Sequence, residues 1–290
     1  MPNSIVLAKT YVNLLDEVYK QASVTNDLTT DPAMVRAGAT AKTVLYPKLA
    51  VGGLGDYDRN SGYTSAAVNV TWGSVEFDYD RGAKIMIDAM DNQETFNVAF
   101  GRASAELIRT RVAPENDAYT FAKLAGLENI SVATPATYAD GVAFLEALII
   151  AKTKMDEDEV PEEDRILYAT PTLLNSVVAL DTTKSREVLN SFVKRQAVPQ
   201  SRFYTAIDLL DGKSAGEEAG HYRKAETGKD INFMVVHKPA VIKIDKHVAS
   251  DIIPANLNAD ADADIVKYRK YGVVEGYENK RAGIYLSHKA

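Results

Sequence analysis

Residues 44–79 contain two apolar-rich runs on either side of a glycine-rich turn, and apolar and polar residues alternate in the second run. The first run leads through Val44 and Tyr46 into VGGLGDYDRNSGY (51–63), and the second contains Val68, Val70 and Trp72. Alternation with a period of two predicts β-strands, and the cluster of Gly, Asn, Asp and Ser predicts a loop tip. The segment is therefore predicted to form a long two-stranded arm. Since an isolated two-stranded ribbon is only marginally stable in water, its apolar face needs a partner surface on this chain or another.

The second run of this arm changes its phase after Trp72. Alternation resumes at Val75 and continues through Phe77 and Tyr79, so the spacing between Trp72 and Val75 is three residues instead of two. An odd spacing moves the apolar positions to the other side of a strand. The change of phase predicts a β-bulge or a bend at Gly73-Ser74.

A long amphipathic helix is predicted over residues 92–125. Asp91 and Glu94 have the spacing of a capping box, and Gly126 is a typical helix end. Pro114 must kink or restart the helix. At 1.5 Å per residue the full segment would be about 50 Å long, which suits an elongated subunit. One stripe is apolar, formed by Phe96, Phe100, Ala103, Leu107, Ile108 and Val112. The opposite face carries Arg102, Glu106 and Arg109.

The rest of the chain divides into a weakly patterned start and an alternating α/β region. Residues 1–43 read as an arm without its own core, with a short helix over 8–22. From residue 138 onward the predicted helices are 138–154, a helix opening at Thr170-Pro171, and 185–196. The predicted strands are 165–169, 231–237, 240–245 and two final strands near Tyr268 and Leu286. Residues 211–229 are predicted to be a surface loop, and residues 255–264 a polar linker.

Composition excludes several classes of function. Of 290 residues, 33 are Lys or Arg and 40 are Asp or Glu, so the net charge of −7 argues against holding naked nucleic acid by charge. Without cysteine, the chain has no disulfide, no Cys-ligated metal and no thiol nucleophile. The longest apolar run, 142–151, is too short to span a bilayer, and we expect a soluble protein without a membrane segment.

Short motifs give only remote alternatives. Gly212-Lys213-Ser214-Ala215-Gly216 fits the G-x-S-x-G elbow of serine hydrolases, which needs a strand before it and a helix after it. The alternating acids from Asp260 lack the glycine and glutamate of a calcium loop, and the four histidines have no metal-ligand spacing. No catalytic residue, cofactor or metal is therefore predicted. The basic stretch near the C-terminus is interpreted as a solvated strand face or the rim of a subunit contact, with packaged nucleic acid as the alternative partner. Its members are Lys267, Arg269, Lys270, Lys280 and Arg281.

Several segments together resemble a known family. In order they are GLGDYDRNSGY (53–63), TWGSVEFDYDRG (71–82), IDAMDNQET (87–95), APENDAY (113–119) and DADIVKYRKYGVVEGYENKRAGIYL (262–286). This order resembles the major capsid proteins of tailed bacteriophages with the HK-ninety-seven-type fold, from about Lys42 to the C-terminus. The alternative with the same fold is an encapsulin-like nanocompartment shell, which encloses a cargo enzyme instead of DNA.

The resemblance implies an α+β architecture with four parts. Residues 1–43 would form the N-terminal arm and residues 44–82 an extended β-hairpin loop. A peripheral domain would combine 83–130, including the long spine helix, with 262–278. An axial domain would combine 131–261 with 279–290.

The resemblance also implies partners and a location. Subunits would assemble as hexamers and pentamers into an icosahedral shell around double-stranded DNA, which they touch by weak non-specific contacts. Assembly would occur in the host cytoplasm, with a separate scaffolding protein, a portal and decoration proteins, and the final location would be the virion. The candidates for contacts between subunits are Tyr57, Arg59, Tyr63, Trp72, Arg102 and Arg109. For Trp72, packing within its own subunit is an equal alternative.

The extended loop lacks a lysine in the region where some members of the family form covalent crosslinks. Some members of the family crosslink a lysine of the extended loop to an asparagine of a neighbour, but this chain has no lysine between Leu49 and Lys84. We therefore expect assembled shells to run as monomers on a denaturing gel. A ladder of covalent oligomers would contradict this expectation.

Overall fold

The computed structural model describes residues 23–30, 36–37, 42–60, 62–89 and 106–290. The predicted helix over 8–22, the capping pair Asp91 and Glu94, and the first part of the long helix lie outside these residues. Arg102 also lies outside them.

The largest of the described sheets has five strands, in the order β5-β13-β10-β6-β7. Its middle strand, β10 (Ile231–His237), is antiparallel to both neighbours and buried at every position. Phe233 and Val235 contact one hydrophobic cluster, whereas Met234 and Val236 contact another on the opposite face. A strand covered on both faces reads as a continuous apolar run, which explains the sequence INFMVVH. The remaining strands are β5 (Ser131–Val132), β6 (Arg165–Ala169), β7 (Lys194–Ala197) and β13 (Ile284–His288).

Helices cover both faces of this sheet. Helix α1 (Ala113–Ala125) places Phe121 and Leu124 in the cluster that contains Met234. The other cluster receives apolar side chains from α2 (Gly141–Glu157), α3 (Pro171–Val178) and α4 (Thr183–Asn190). Two short strands, β8 (Ile207–Leu209) and β9 (Tyr222–Lys224), pair separately.

A second sheet has the order β11-β12-β4, and all its strands are antiparallel. These strands are β4 (Tyr79–Asp88), β11 (Val241–Ile253) and β12 (Ala263–Gly276). The preceding helical segment packs against it, because Ile108 and Val112 contact Tyr268 of β12. Strand β11 pairs with β12 along its length, so residues 241–253 belong to a different sheet from the other strands of the predicted axial region.

The predicted arm forms a third sheet, in which β2 (Thr43–Val51) lies between β1 (Arg36–Ala37) and β3 (Val68–Glu76). The register runs from Thr43 opposite Glu76 to Val51 opposite Val68 without a shift. The predicted bulge at Gly73-Ser74 is therefore wrong. Trp72 and Val75 lie on opposite faces of one regular strand, and both faces carry apolar residues. Tyr79 belongs to β4 in the second sheet.

The second half of the long predicted helix contains a change of helical type. Residues Ile108–Val112 form a π-helix that continues directly into α1. Pro114, which has no backbone N–H, is the second residue of α1 and lies where the π-helical pattern changes to the α-helical one. The predicted kink or restart at this proline is therefore observed as a change of helical type within a continuous helix, and Gly126 ends the helix as expected.

Two predictions between residues 185 and 229 are partly wrong. The helix predicted over 185–196 ends at Asn190, and residues 194–197 form β7 beside β6. The pairing with β6 overrides the local helical pattern. The surface loop predicted over 211–229 contains β9, which pairs with β8.

Gly141 provides a test of the packing between helices α2 and α3. A Cβ atom at this position would lie 2.3 Å from the carbonyl oxygen of Ser176, which is backbone and cannot rotate away. We expect Gly141→Ala to lower the free energy of unfolding by about 1–3 kcal/mol, as overpacking generally does. Denaturant unfolding measures the change.

The matched control is Gly53→Ala, where a Cβ atom meets no atom within 4 Å. We expect a change within about 0.5 kcal/mol there, as is usual for exposed sites. Equal stability of the two variants would contradict the described packing of α2 on α3.

Candidate assembly surface

One face of the arm is apolar and exposed. Directly opposed pairs place Pro47 beside Trp72, Leu49 beside Val70, and Val51 beside Val68, so these side chains share a face. We call these six residues the arm face. Leu49, Val51, Val68 and Val70 are each more than half exposed, and Trp72 is 49% exposed. Contiguous exposed apolar patches are typical of sites of protein interaction.

The base of the arm is anchored by the opposite face. Tyr46 and Val75 are buried in a small cluster with Ile242 and Val273 of the second sheet. The ring of Tyr46 also lies edge-on to Tyr277, with 5.2 Å between the centroids. The base is therefore held by the body of the subunit while the distal part of the arm projects from it.

An ion pair and an aromatic hydroxyl reinforce this base. The ammonium of Lys48 pairs with the carboxylate of Glu278, and this hydrogen bond holds the pKa of Glu278 below its usual value. Burial raises the pKa of the Tyr46 hydroxyl, which keeps it neutral. Both partners of the arm, Tyr277 and Glu278, directly follow strand β12.

The tip of the arm carries two exposed aromatic rings. Tyr57 and Tyr63 lie with their centroids 4.8 Å apart, and Tyr63 is 89% exposed. The turn between them is closed by paired backbone hydrogen bonds of Asp58 and Gly62, and Gly62 has a positive φ of 81°. Arg59 is exposed at the same turn. Three of the predicted contact residues are therefore brought together at the tip.

The other predicted contact residues lie elsewhere. Trp72 lies on the arm face at the proximal end of the exposed patch. Arg109 lies in the π-helix, where its Nη2 is 2.6 Å from a carboxylate oxygen of Glu106. Leu49 and Val51, which lie opposite Val70 and Val68 on the arm face, were not predicted as contacts, because the first run of the arm does not alternate between apolar and polar residues.

A second polar junction joins the 210–221 loop to the core. Glu115 of α1 accepts a 2.6 Å hydrogen bond from Nε of Arg81, whose Nη2 also donates to the carbonyl of His221 at 3.1 Å. Burial alone would raise the pKa of Glu115, but its contacts with His221 and Arg81 outweigh this effect and lower it. Sequence reasoning missed this junction because its members lie 34 or more positions apart.

The hydrolase elbow does not form at Ser214. Its hydroxyl donates to Asp211 at 2.5 Å within an exposed turn, and no helix lies between Ser214 and β9. Of the nearby histidines, His221 contacts Glu115 and His237 lies in β10. Among the described residues no group of three or more potential ligands could hold a metal ion. Nor does the described part of the chain contain a helix long and apolar enough to cross a membrane.

The basic residues near the C-terminus are largely engaged within the subunit. Lys270 is buried and pairs with Asp245 at 2.9 Å, whereas Arg269 pairs with Asp80 at 2.7 Å. Arg281 lies 3.6 Å from Glu275. This arrangement favours the interpretation as a strand face over that of a nucleic-acid surface.

Similar architectures occur among solved structures. A virus-like particle from Pyrococcus furiosus matches with a TM-score of 0.62 and 8% identity, covering 96% of this chain and 98% of that one. The capsid of cyanophage P-SCSP1u matches with a TM-score of 0.58 and 16% identity, covering 93% and 88%. The mature capsid of bacteriophage PhiM1 matches with a TM-score of 0.52 and 13% identity, covering 86% and 82%. No family model matches the sequence, and a search of curated proteins returns no match.

These matches cover between 86% and 96% of this chain. The chain therefore has the mixed α+β fold of phage capsid subunits, the HK-ninety-seven-type fold, as the resemblance implied. At identities of 8–16% they show the fold alone.

Gly73 tests how the base of the arm is held. A Cβ atom there would lie 2.4 Å from Cζ of Tyr46, so Gly73→Ala must displace the ring from its cluster. We expect this variant to destabilise the arm by about 1–3 kcal/mol. Hydrogen exchange of β2 and β3 amides measures the effect, and Ser74→Ala on the exposed side of β3 is the control. Unchanged protection in both variants would contradict this packing.

Proposed function

We propose that this chain is the major capsid protein of a tailed bacteriophage. Its subunits assemble as hexamers and pentamers into an icosahedral shell that encloses double-stranded DNA, and its final location is the virion. The observation that carries the proposal is an exposed, apolar arm face on a subunit with a capsid fold. The role is structural, and no catalytic step is assigned.

The energetics of the arm face support association with a second copy. Burying a Val or Leu side chain completely stabilises by about 1.5–3 kcal/mol, so each half-exposed side chain could contribute about 1 kcal/mol more in a contact. Five such side chains per arm give a modest contact energy. In a closed shell every subunit makes and receives the same contact, and many modest contacts act together.

Specific residues of the arm are proposed for the contact. Tyr57, Arg59 and Tyr63 at the tip and Trp72 on the arm face would lie against the neighbouring subunit, because aromatic and Arg side chains dominate interface energies. Arg102 and Arg109 are proposed for a second contact between subunits. For Arg109, this contact would compete with Glu106, which already pairs with it.

The proposed domain boundaries within the subunit follow the sheets. We propose residues 1–43 as the N-terminal arm and 44–78 as the extended loop, since residues 79–82 of the expected loop belong to β4. The peripheral domain would contain the helix at 108–125 and the sheet β11-β12-β4, so that residues 241–253 join it. The axial domain would contain the five-stranded sheet with helices α2 to α4.

Assembly of such a shell would involve other proteins and DNA. A separate scaffolding protein, a portal and decoration proteins would complete a shell formed in the host cytoplasm. Contacts with DNA would be weak and non-specific, in keeping with the net charge of −7. An encapsulin-like shell is not favoured, because most of the matched structures come from phages.

Electron microscopy and sedimentation of the purified chain test the proposal. Closed shells, or rings of five and six subunits, are expected, alone or after addition of a scaffold. The contents of shells isolated from the host distinguish the alternatives, since DNA supports a virion shell and an enclosed enzyme supports a nanocompartment. A compact monomer under all these conditions would contradict both.

Substitutions on the arm face test the contact directly. We expect Trp72→Ala and Val70→Ser to raise the concentration needed for assembly by about tenfold or more, the effect of losing about 1.4 kcal/mol per contact. Sedimentation over a concentration series measures this.

The control is Val193→Ser, at a valine 67% exposed outside the arm. Thermal unfolding of the unassembled chains should be almost unchanged in all three variants. Assembly at wild-type concentrations in the arm variants would show that the arm face is not the contact.

A further inference from the structure

Residues 23–30 are held against the core by a buried carboxylate. We call this segment the N-terminal latch. Asp117 of α1 is fully buried, and its Oδ1 accepts hydrogen bonds from the hydroxyls of Ser23 and Thr25, both at 2.7 Å. The backbone N–H of Thr25 also donates to Oδ1 at 3.2 Å, and the backbone N–H of Val24 donates to Oδ2 at 3.1 Å. Nη1 of Arg202 lies 3.2 Å from Oδ2.

A buried lysine contacts the latch from the other side. Nζ of Lys243, in β11, donates to the carbonyl oxygen of Thr25 at 3.0 Å and to its hydroxyl at 2.7 Å. The backbone N–H of Thr30 donates to the carbonyl of Lys243 at 2.9 Å. Both acceptors of the Lys243 side chain therefore belong to the latch. They match the two N–H groups of a neutral amine, whereas an ammonium carries three.

The charges around Lys243 do not balance when it is protonated. The charged groups that face it are Asp117 from α1, Lys270 from β12, Asp245 from β11 and Asp27 from the latch itself. Asp27 is partly exposed and pairs with Lys194 at 2.5 Å. Arg202 and Lys270 already oppose the two carboxylates Asp117 and Asp245. A protonated Lys243 would add one uncompensated positive charge, which is costly in a buried site.

We propose that the N-terminal latch is released reversibly and that its docking is coupled to the protonation of Lys243. In the docked state Lys243 is a neutral amine that donates to Thr25. When the latch leaves, both acceptors leave with it and the side chain opens to water, where it takes up one proton from solvent.

The direction of the pH dependence follows from this exchange. Burial, with Lys270 as the next cause, lowers the pKa of Lys243 to about 7 in the docked state. In water the pKa of a lysine is about 10.4. Between these values the released state binds more protons, so docking weakens as the pH falls from about 10 to about 7 and changes little below. Within this range, the equilibrium constant for release should rise about tenfold for each unit by which the pH falls.

Hydrogen exchange of the full chain tests the proposal at the amides of Val24, Thr25 and Thr30. Each of these N–H groups donates to Asp117 or Lys243 and exchanges when the latch is released. Intrinsic exchange rises in proportion to hydroxide, while release falls by the same factor. The measured rates of the wild-type chain should therefore be nearly independent of pH between 7.5 and 9.5.

Variants of the lysine supply the comparison. In Lys243→Met, and in Lys243→Gln, which keeps two N–H donors, we expect the rates to rise in proportion to hydroxide. Two lysine variants keep the test informative if one does not fold. Lys194→Met, at the exposed lysine paired with Asp27, should keep the wild-type profile.

Two outcomes would overturn the proposal. One is a wild-type profile that rises in proportion to hydroxide. The other is a flat profile in both Lys243 variants, since this would show that the flatness arises from slow reclosing rather than from Lys243.

Discussion

Three consecutive polar side chains in the first turn of α1 join most of the molecule together. Glu115, Asn116 and Asp117 are all buried, and each contacts a different part of the chain. Glu115 accepts from Arg81 of β4, Asn116 accepts from Lys270 of β12 at 2.7 Å, and Asp117 accepts from the latch. Buried polar groups require such partners, because each unmade hydrogen bond costs about 1–3 kcal/mol. The helix therefore fixes its neighbours by specific pairings as well as by apolar contact.

These pairings explain why the sequence predicts the individual helices and strands better than the contacts between them. The sequence correctly predicts a helix over the segment ENDAY (115–119). The hydrogen-bond partners of Glu115 and Asn116 lie 34 and 154 positions away along the chain. No local sequence pattern therefore shows that these polar side chains are buried. The strand β10 is the opposite case. Its apolar run is local, and the run alone predicted a strand with the observed bounds.

The arm shows how far the alternation of apolar and polar residues can predict the structure of a strand. The period of two over Val68, Val70 and Trp72 correctly predicts a strand whose apolar side chains share a face, and the glycine-rich cluster correctly predicts the tip. The alternation did not identify the buried face, because the residues that cover Tyr46 and Val75 come from β11 and β12. The three-residue step from Trp72 to Val75 was consequently read as a bulge. A regular strand with apolar residues on both faces, one buried and one exposed, accounts for it.

The position of the arm's anchors gives it a mechanical property. Tyr277 and Glu278 lie in the short connection between β12, in one sheet, and β13, in the other. Tyr46 and Lys48 hold the base of the arm to this connection. The connection between β10 and β11 at residues 238–240 joins the same two sheets. Because the base of the arm is held at one of these connections, the arm is placed to follow a movement of one sheet relative to the other.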